Sequence, residues 1–320
     1  MTYNVVFLGT PEFSVDSLRV LNENNSFNIK LVVTMPDRPA GRGKKMKAPP
    51  VAIYAKKNNL PLLQTSNINK DEEFDRFINS NEIDFFLVIA FSQFLGKKIL
   101  TAAKFGAFNI HTSLLPKYRG AAPIQYALLN GDKTTGVCIQ RMVSKMDAGD
   151  ICYEHSVEIK ESYTSLELFQ KLQQEASVGL NKFLNLFTLN SGILNYRVQN
   201  EDDVSFAPII KKEDGLINPY CEDFNSLKNK FRAYFSWPGL FIYFNDFRLK
   251  IHEIEPYPQE LQSGDIDISQ GMLLLGLKDN STVRLKKIQA EGKKIQTDSE
   301  FLNGIKNKVD NLTLDISHYE

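Results

Sequence analysis

The first half of the chain alternates short apolar runs with stretches in which apolar residues recur at helical spacing. The apolar runs predict strands at residues 4–8, 29–34, 85–90 and 107–110. The helical spacing predicts helices at residues 13–21, 50–58 and 74–78. Strands that alternate with helices indicate an α/β fold with a parallel, doubly wound sheet, whose ligand site lies at the carboxyl ends of the strands.

Two further strands and one long helix follow. Residues 135–141 and 151–159 are predicted to be further strands, and residues 165–189 the helix. Five apolar side chains of this helix are expected to form a buried stripe, namely Leu166, Phe169, Leu172, Leu180 and Leu184. A first domain is therefore predicted over residues 1–189.

The pattern changes after the long helix. Residues 190–206 are polar and lack a helical period, which predicts a linker. A short helix is expected at residues 226–233, and strand-like runs then follow at residues 240–244, 248–254, 272–277 and 282–288. Short strands separated by turn residues are typical of a small β-barrel, so a second domain is predicted over residues 207–320.

Composition narrows the class of protein. A length of 320 residues with 42% hydrophobic residues suits two globular domains. Lys plus Arg and Asp plus Glu number 38 each, so attraction to nucleic acid must come from local patches. The longest strongly apolar run, residues 85–91, is much shorter than the roughly 20 residues of a membrane span, and the first strand begins almost at Met1. We expect no membrane contact and no signal peptide.

The three cysteines, Cys138, Cys152 and Cys221, are scattered and have no C-x-x-C spacing. An odd, scattered set argues against a disulfide framework and against a zinc ribbon. We therefore expect a protein of the reducing cytoplasm.

Asn109 and His111 lie two residues apart at the end of a predicted strand, so both side chains project to the same side of the sheet. An amide N–H can stabilise a developing oxyanion, and an imidazole, which titrates at about pH 6.5 in model peptides, can move a proton near neutral pH. The pairing suits acyl transfer, and the carboxylate of Asp147 follows downstream. By contrast, the first strand-to-helix turn keeps only Gly9 of the glycine fingerprint for dinucleotides, which argues against a nicotinamide oxidoreductase.

Six segments together resemble the methionyl-tRNA formyltransferase family, and the resemblance runs nearly end to end. They are F-L-G-T-P-E-F from Phe7, P-D-R-P-A-G-R-G-K-K from Pro36, F-N-I-H-T-S-L-L-P-K-Y-R-G-A-A-P-I from Phe108, M-D-A-G-D from Met146, R-A-Y-F-S-W-P-G from Arg232 and Q-A-E-G-K-K from Gln289. The central segment alone marks the broader family of formyltetrahydrofolate-dependent formyltransferases. The basic loop and the carboxyl-terminal segments narrow the resemblance.

The resemblance implies a Rossmann-like catalytic domain followed by an OB-like barrel that binds tRNA. It implies that the α-amine of methionyl initiator tRNA, for translation initiation, attacks the formyl carbon of the co-substrate 10-formyltetrahydrofolate. Asn109 would then donate to the oxyanion, His111 would move the proton, and Asp147 would orient the imidazole. The scheme requires no metal, and the sequence indicates no obligate protein partner.

The turn that follows His111 lines the folate site in this resemblance, through Ser113, Leu114, Leu115 and Pro116. Backbone groups and apolar side chains there can hold a flat heterocycle. One departure from the family pattern is Ser92, where relatives usually carry glycine. Because a side chain restricts the backbone, this departure bears on the shape of the neighbouring folate pocket, which the sequence does not give.

A basic loop follows the second predicted strand. Between Asp37 and Lys47 it carries five basic residues against one acid, with glycines that keep the backbone mobile. Such a run is usually a solvated loop, but this one lies near the expected ligand edge of the sheet. We therefore predict that it contacts the acceptor stem of the tRNA, through Arg38, Arg42, Lys44 and Lys45.

Other interpretations stay open at this point. A lone Asn or His at a strand end is more often a turn or core residue, Arg119 can pair with a structural carboxylate, and Trp237 suits a barrel anchor better than a base-stacking platform. A later basic cluster either tracks the tRNA backbone or forms a solvated edge, and its members are Arg284, Lys286, Lys287, Lys293 and Lys294.

Two other functions compete with the favoured one. A formyltransferase for another amine, such as an amino sugar nucleotide, would use the same three residues, but the basic loop argues against it. A catalytically silent tRNA-binding module would not need Asn109, His111 and Asp147 intact.

Replacing Arg42 with alanine is expected to impair use of the tRNA more than binding of the folate. The planar guanidinium can hydrogen-bond and stack at the acceptor end in ways that a lysine cannot. The KM for methionyl-tRNA and the dissociation constant of the folate, measured on one preparation, test this. Equal losses in both would indicate a misfolded domain instead.

Overall fold

The computed structural model describes residues 2–40, 43, 45–245, 247–305, 312–315 and 317, and it divides into two compact units. The first unit comprises Met1–Pro123, Thr134–Ile159 and Phe169–Pro208. The second unit comprises Ile124–Lys133, Lys160–Leu168 and Ile209–Glu320.

Strands and helices alternate through the first half of the chain and give way to strands in the second half. The strands are β1 (Tyr3–Gly9), β2 (Phe27–Thr34), β3 (Arg38–Ala40), β4 (Lys45–Lys47), β5 (Leu62–Gln64), β6 (Phe85–Ile89), β7 (Ala107–His111), β8 (Arg119–Gly120), β9 (Thr134–Arg141), β10 (Ile151–Glu158), β11 (Phe206–Ala207), β12 (Leu240–Phe244), β13 (Phe247–Tyr257), β14 (Ile266–Asp267), β15 (Leu274–Gly276), β16 (Thr282–Ala290) and β17 (Gln296–Thr297). The helices are α1 (Val15–Asn22), α2 (Pro50–Lys57), α3 (Glu72–Ser80), α4 (Lys97–Leu100), α5 (Pro123–Leu129), α6 (Ser165–Leu189), α7 (Phe224–Ala233) and α8 (Asp298–Ile305).

The first unit is built on one seven-stranded sheet in the order β10-β9-β7-β6-β1-β2-β5. The neighbours from β7 to β5 pair in parallel, as the alternation of strands and helices predicts. β9 and β10, which the sequence predicted as strands without a direction, pair antiparallel. The carboxyl ends of the adjacent strands β1, β6 and β7 lie together at one edge, at Gly9, Ile89 and His111.

Phenylalanines fix the long helix to the sheet directly behind β7. Phe85 and Phe108, on β6 and β7, are fully buried against Phe183 and Phe187 of α6. Ring centroids lie 4.8 Å apart for Phe85 and Phe187 and 5.2 Å apart for Phe108 and Phe183. Each such ring pair contributes about 0.5–1.5 kcal/mol beyond the burial of its surface. The strand that carries Asn109 and His111 is thereby held rigid.

The buried stripe predicted for α6 is right at three positions and wrong at two. Leu172, Leu180 and Leu184 are fully buried, whereas Leu166 and Phe169 are 44% and 37% exposed. The Phe169 ring instead packs against the edge of Phe13, with centroids 5.0 Å apart. The buried face runs at steps of three and four residues, through Leu168, Leu172, Ala176, Leu180, Phe183, Leu184 and Phe187.

The second unit contains an antiparallel sheet in the order β12-β13-β16-β15-β14, with β17 paired to β16. Three of the four predicted strands are found close to their predicted bounds, and the fourth is shorter, as β15. An α/β unit followed by an antiparallel β domain confirms the predicted fold class. Trp237, which we predicted to anchor this domain, is 53% exposed, so that prediction is wrong.

The segment 190–206, predicted as a linker, falls within the first unit. Arg197 forms a backbone bridge to Ile151 at the start of β10, with N···O distances of 2.8 and 2.9 Å. The side chain of Gln199 is buried. The segment therefore packs against the seven-stranded sheet.

Ser92 has a backbone φ of +65°, in the left-handed region that favours glycine. Its serine therefore occupies the conformation for which glycine is the usual residue. A residue with a Cβ costs about 1–2 kcal/mol in this region.

Replacing Ser92 with glycine is expected to raise the free energy of unfolding by up to about 1 kcal/mol, because the relief of strain exceeds the extra entropy of the unfolded chain. Urea denaturation measures the change. The matched control, Ser177→Gly in the middle of α6, is expected to lower stability by about 0.5–1 kcal/mol. A similar loss in both variants would contradict the strain at Ser92.

Candidate active site

Asn109 and His111 project from the carboxyl end of β7 toward the loop between β9 and β10, residues 142–150, here called the Asp147 loop. The Nδ2 atom of Asn109 lies 3.4 Å from Oδ1 of Asp147. The Nδ1 atom of His111 lies 3.7 Å from Oδ2 of the same carboxylate. The structure therefore brings the three predicted catalytic side chains together around one carboxylate, although Asp147 is 36 residues beyond His111.

The two nitrogens of His111 face different partners. Nε2 lies 2.9 Å from the backbone carbonyl of Tyr118. A carbonyl oxygen only accepts, so this contact assigns a hydrogen to Nε2. Nδ1 faces Asp147, so a proton that arrives at Nδ1 is stabilised by the carboxylate charge. The imidazole itself is buried, which fixes its orientation.

The Asp147 carboxylate is 12% exposed and is satisfied from several sides. Oδ2 accepts a hydrogen bond from the backbone N–H of Gly120 at 2.9 Å. Oδ1 accepts another from Nε2 of Gln140, also at 2.9 Å. Asp147 has a φ of +50°, so its backbone is held in the left-handed region.

The Asp147 loop packs so closely on β9 that Gly149 has no room for a side chain. A Cβ at Gly149 would lie 1.6 Å from the backbone oxygen of Arg141. The Gly149 N–H donates to Oε1 of Gln140 at 3.2 Å. Sequence reasoning missed Gln140, although a buried amide at the end of an apolar strand was a usable signal.

The turn predicted to line the folate site is mostly buried. The hydroxyl of Ser113 donates to the carbonyl of Lys117 at 2.6 Å, and the Leu115 N–H lies 3.4 Å from Sγ of Cys138. Leu115 packs with Cys138, with Leu114 beside them. Leu114 and Pro116 are half-buried, so they are the two members of the predicted set with exposed side-chain surface.

The basic loop forms a hairpin of β3 and β4, in which Arg38 pairs with Lys47 and Ala40 with Lys45. Arg38 and Lys45 are exposed. Arg42 and Lys44, the other two predicted tRNA contacts, lie outside the described residues.

Arg119 is buried and has the structural role that the sequence left open. Its NH2 atom lies 2.8 Å from Oε1 of Glu201 and 2.9 Å from Oε1 of Gln199. The later basic cluster is also largely compensated within its own unit. Its ion pairs, all within the second unit, are Arg284 with Glu255 and Asp298, Lys286 with Glu253 and Glu255, and Lys287 with Glu253.

The described residues contain no group of three or more His, Cys, Asp or Glu side chains placed to hold a metal ion. Within the same residues, no helix has the length and apolar character needed to cross a membrane.

A doubly wound α/β sheet that gathers an amide, an imidazole and a carboxylate beyond one strand end defines the site of a group-transfer enzyme. The chain belongs to the formyl transferase family: the Formyl transferase model matches residues 3–184, and the model of the Formyl transferase C-terminal domain matches residues 209–306. The resemblance carried by the six segments is confirmed, and the chain is a transferase.

Curated relatives are similar over nearly their whole length. A methionyl-tRNA formyltransferase of Caldicellulosiruptor saccharolyticus is 36% identical over 310 residues, which cover 95% of this chain and 98% of the relative. The enzyme of that name from Thermotoga maritima is 38% identical, with 94% and 95% covered. The one from Lactobacillus acidophilus is 39% identical, again with 94% and 95% covered.

Solved structures of lower identity show the same fold. A sugar 3N-formyl transferase, solved with dTDP and 5-N-formyl-THF, has a TM-score of 0.66 and 18% identity, and the match covers 92% of this chain and all of that one. An N-formyltransferase from Helicobacter canadensis, solved with folinic acid and dTDP-3-aminofucose, has a TM-score of 0.64 and 17% identity, with 89% and 98% covered.

One cysteine is expected to react with iodoacetamide in the folded protein. Burial raises the pKa of Cys138 and of Cys152 to about 12, so neither supplies thiolate near pH 8, whereas Cys221 is exposed. Mass spectrometry should find one label on the native protein, none on Cys221→Ser and three after unfolding. Rapid labelling of Cys138 would show that the turn above it opens.

Proposed function

We propose that this chain transfers the formyl group of 10-formyltetrahydrofolate to the α-amine of methionyl initiator tRNA, for translation initiation. The observation that carries the proposal is the convergence of Asn109 and His111 on Asp147 at the carboxyl end of β7. The relatives named methionyl-tRNA formyltransferase, which match nearly the whole chain, support the choice of acceptor.

In the proposed reaction the α-amine attacks the formyl carbon, and the carbonyl oxygen becomes an oxyanion. Asn109 donates an N–H to that oxygen, and a donor of this kind contributes on the order of 100- to 1000-fold in rate. His111 takes the proton that the amine loses, at Nδ1, and Asp147 stabilises the resulting imidazolium. The bond from the formyl carbon to N10 of the folate then breaks, and N10 receives the proton. Each of these steps uses protein side chains and no metal.

The folate is assigned to the turn after β7, where Leu114 and Pro116 offer apolar surface. Ser113 and Leu115 hold this turn in place through their buried contacts with Lys117 and Cys138. A fold neighbour that was solved with 5-N-formyl-THF supports a folate co-substrate. The tRNA acceptor stem is assigned to the basic hairpin, through Arg38, Arg42, Lys44 and Lys45. Contacts of this kind neutralise phosphates, so binding should weaken with salt.

The two domains have different roles in the proposed function, and the protein is proposed to act in the cytoplasm. Residues 1–189 carry the catalysis, residues 190–206 connect, and residues 207–320 contribute to tRNA binding. Three members of the later basic cluster, Arg284, Lys286 and Lys287 on β16, are ion-paired within their own unit. That contribution is therefore assigned to other surfaces of the second domain, among them the exposed Lys293 and Lys294. Free cysteines and the translation substrate suit the cytoplasm.

Purified protein with 10-formyltetrahydrofolate is expected to formylate methionyl initiator tRNA, and His111→Ala should lower kcat by roughly 100- to 10,000-fold, the usual contribution of a general acid–base group. The matched control is His155→Ala on β10, since His155 pairs with Glu175 away from the site. That variant should retain the activity of the wild type.

The acceptor is tested with three amines in parallel: methionyl initiator tRNA, methionyl elongator tRNA and a nucleotide-linked amino sugar. Strong preference for the initiator tRNA is the expected result. Formylation of the amino sugar alone would overturn the proposed acceptor while leaving the formyl transfer chemistry intact.

A further inference from the structure

We propose that Gln199, which lies in the segment between the two predicted domains, is a positioning residue that holds the Asp147 loop so that its carboxylate faces His111. The inference rests on the proposed function for the reaction that it assists. The juxtaposition that carries it is a buried amide placed between the backbone of the loop and a buried guanidinium.

Gln199 binds the backbone of the Asp147 loop on either side of Ala148. Its Nε2 atom donates to the backbone carbonyl of Asp147 at 2.8 Å and to that of Gly149 at 2.7 Å. The residue is only 5% exposed, so these two bonds are made away from water. Both hydrogens of the Gln199 amide therefore hold the backbone that sets the direction of the Asp147 carboxylate.

The oxygen of the Gln199 amide is held in turn by Arg119. Oε1 of Gln199 accepts hydrogen bonds from Nε and NH2 of Arg119, at 3.0 and 2.9 Å. Arg119 is buried and also donates to Glu201, at 2.8 Å. Glu201 accepts from Lys145, in the Asp147 loop itself, at 2.6 Å. The contacts close a ring that begins and ends on the loop.

Glu201 is the carboxylate of this ring. Hydrogen bonds from Arg119 and Lys145 lower the pKa of Glu201 to about 2, so its carboxylate stays charged through the neutral range. The ion pairs are partly exposed, so salt should weaken them more than pH does.

Glutamine supplies both the donors and the acceptor that this position requires. The loop presents two carbonyls, which need donors, and Arg119 presents two N–H groups, which need an acceptor. Glutamate keeps the acceptor and loses the donors, whereas leucine fills the space and loses both. A second glutamine, Gln140, holds the loop from the sheet side through Asp147 Oδ1 and the Gly149 N–H. The loop therefore needs support beyond its own backbone, since Asp147 holds a left-handed φ.

The test compares Gln199→Leu and Gln199→Glu with the wild type, using whichever amine the wild type formylates. If the proposed acceptor is wrong, the wild type does not formylate it. That result is separate from a finding that Gln199 does not position the Asp147 loop. Both variants are expected to lower kcat by about 10- to 100-fold, because a displacement near 1 Å in a catalytic group has costs of that order. The KM for the folate should change by less than about threefold. Gln199→Glu keeps the bond to Arg119, so its thermal midpoint should stay closer to that of the wild type.

A double-mutant cycle with Asp147→Asn separates positioning from a general structural effect. If Gln199 acts through the Asp147 carboxylate, Gln199→Leu should cost little more once that carboxylate is gone. Single-turnover rates with excess enzyme keep the slow variants measurable. Gln173→Leu removes a glutamine amide that donates to the Asp16 side chain; it is the matched control for the substitution and should retain full activity.

Two results would overturn the inference. One is a wild-type kcat in Gln199→Glu, which lacks the donors to the loop. The other is an equal fold-loss from Gln199→Leu in the wild-type and Asp147→Asn backgrounds. Hydrogen exchange gives a third readout: peptides spanning residues 142–150 should exchange faster in both Gln199 variants, while those of β6 and β7 stay protected.

Discussion

The candidate active site depends on one nearly buried carboxylate, that of Asp147. Its two oxygens accept hydrogen bonds from the Gly120 N–H and from Gln140. Such hydrogen bonds offset the cost of removing a carboxylate from water. Around this carboxylate, Asn109 and His111 take up positions from which one can bind an oxyanion and the other a proton.

The rest of the first unit serves to keep this arrangement rigid. The phenylalanines of β6, β7 and α6 fix the strand that carries Asn109 and His111. The Asp147 loop is packed in this way at its start, where Met142 lies against the core, whereas Val143 and Met146 are exposed. The part of the loop around Asp147 is held by amide groups and, through Gln199, by the Arg119 guanidinium, which come from β9, β8 and the segment after α6.

Much of the fold followed from local sequence patterns. Apolar runs and helical spacing are properties of neighbouring residues, so six of the seven strands of the first sheet and the long helix were predicted close to their observed bounds. The seventh strand, β5, has three residues, too few for its apolar run to stand out. The period of a strand also placed Asn109 and His111 on one side. The direction of β9 and β10 was not predictable in this way, since a pairing between strands depends on the path of the chain between them. The errors at Leu166 and Phe169 arose because spacing alone does not say which side of a helix meets the sheet.

Long-range contacts account for what the sequence did not reveal. Nothing near Gln199 distinguishes it from other polar residues of a connector, and its importance arises from carbonyls about 50 positions earlier. In the same way, the basic residues of β16 suggested a binding edge until their cross-strand carboxylates were seen. Arg119 belongs to this class too, because its partners Gln199 and Glu201 lie about 80 residues away.

In the proposed reaction His111 takes up and releases a proton at Nδ1, which faces Asp147, while Nε2 remains bound to the Tyr118 carbonyl. Nitrogen-15 NMR of the imidazole, followed through a pH titration with His111 assigned by its alanine variant, observes this directly. Nε2 should stay protonated throughout, and Nδ1 should be the nitrogen that gains and loses the proton. A ring in which Nε2 titrates and Nδ1 stays protonated would contradict the proposed direction of proton transfer.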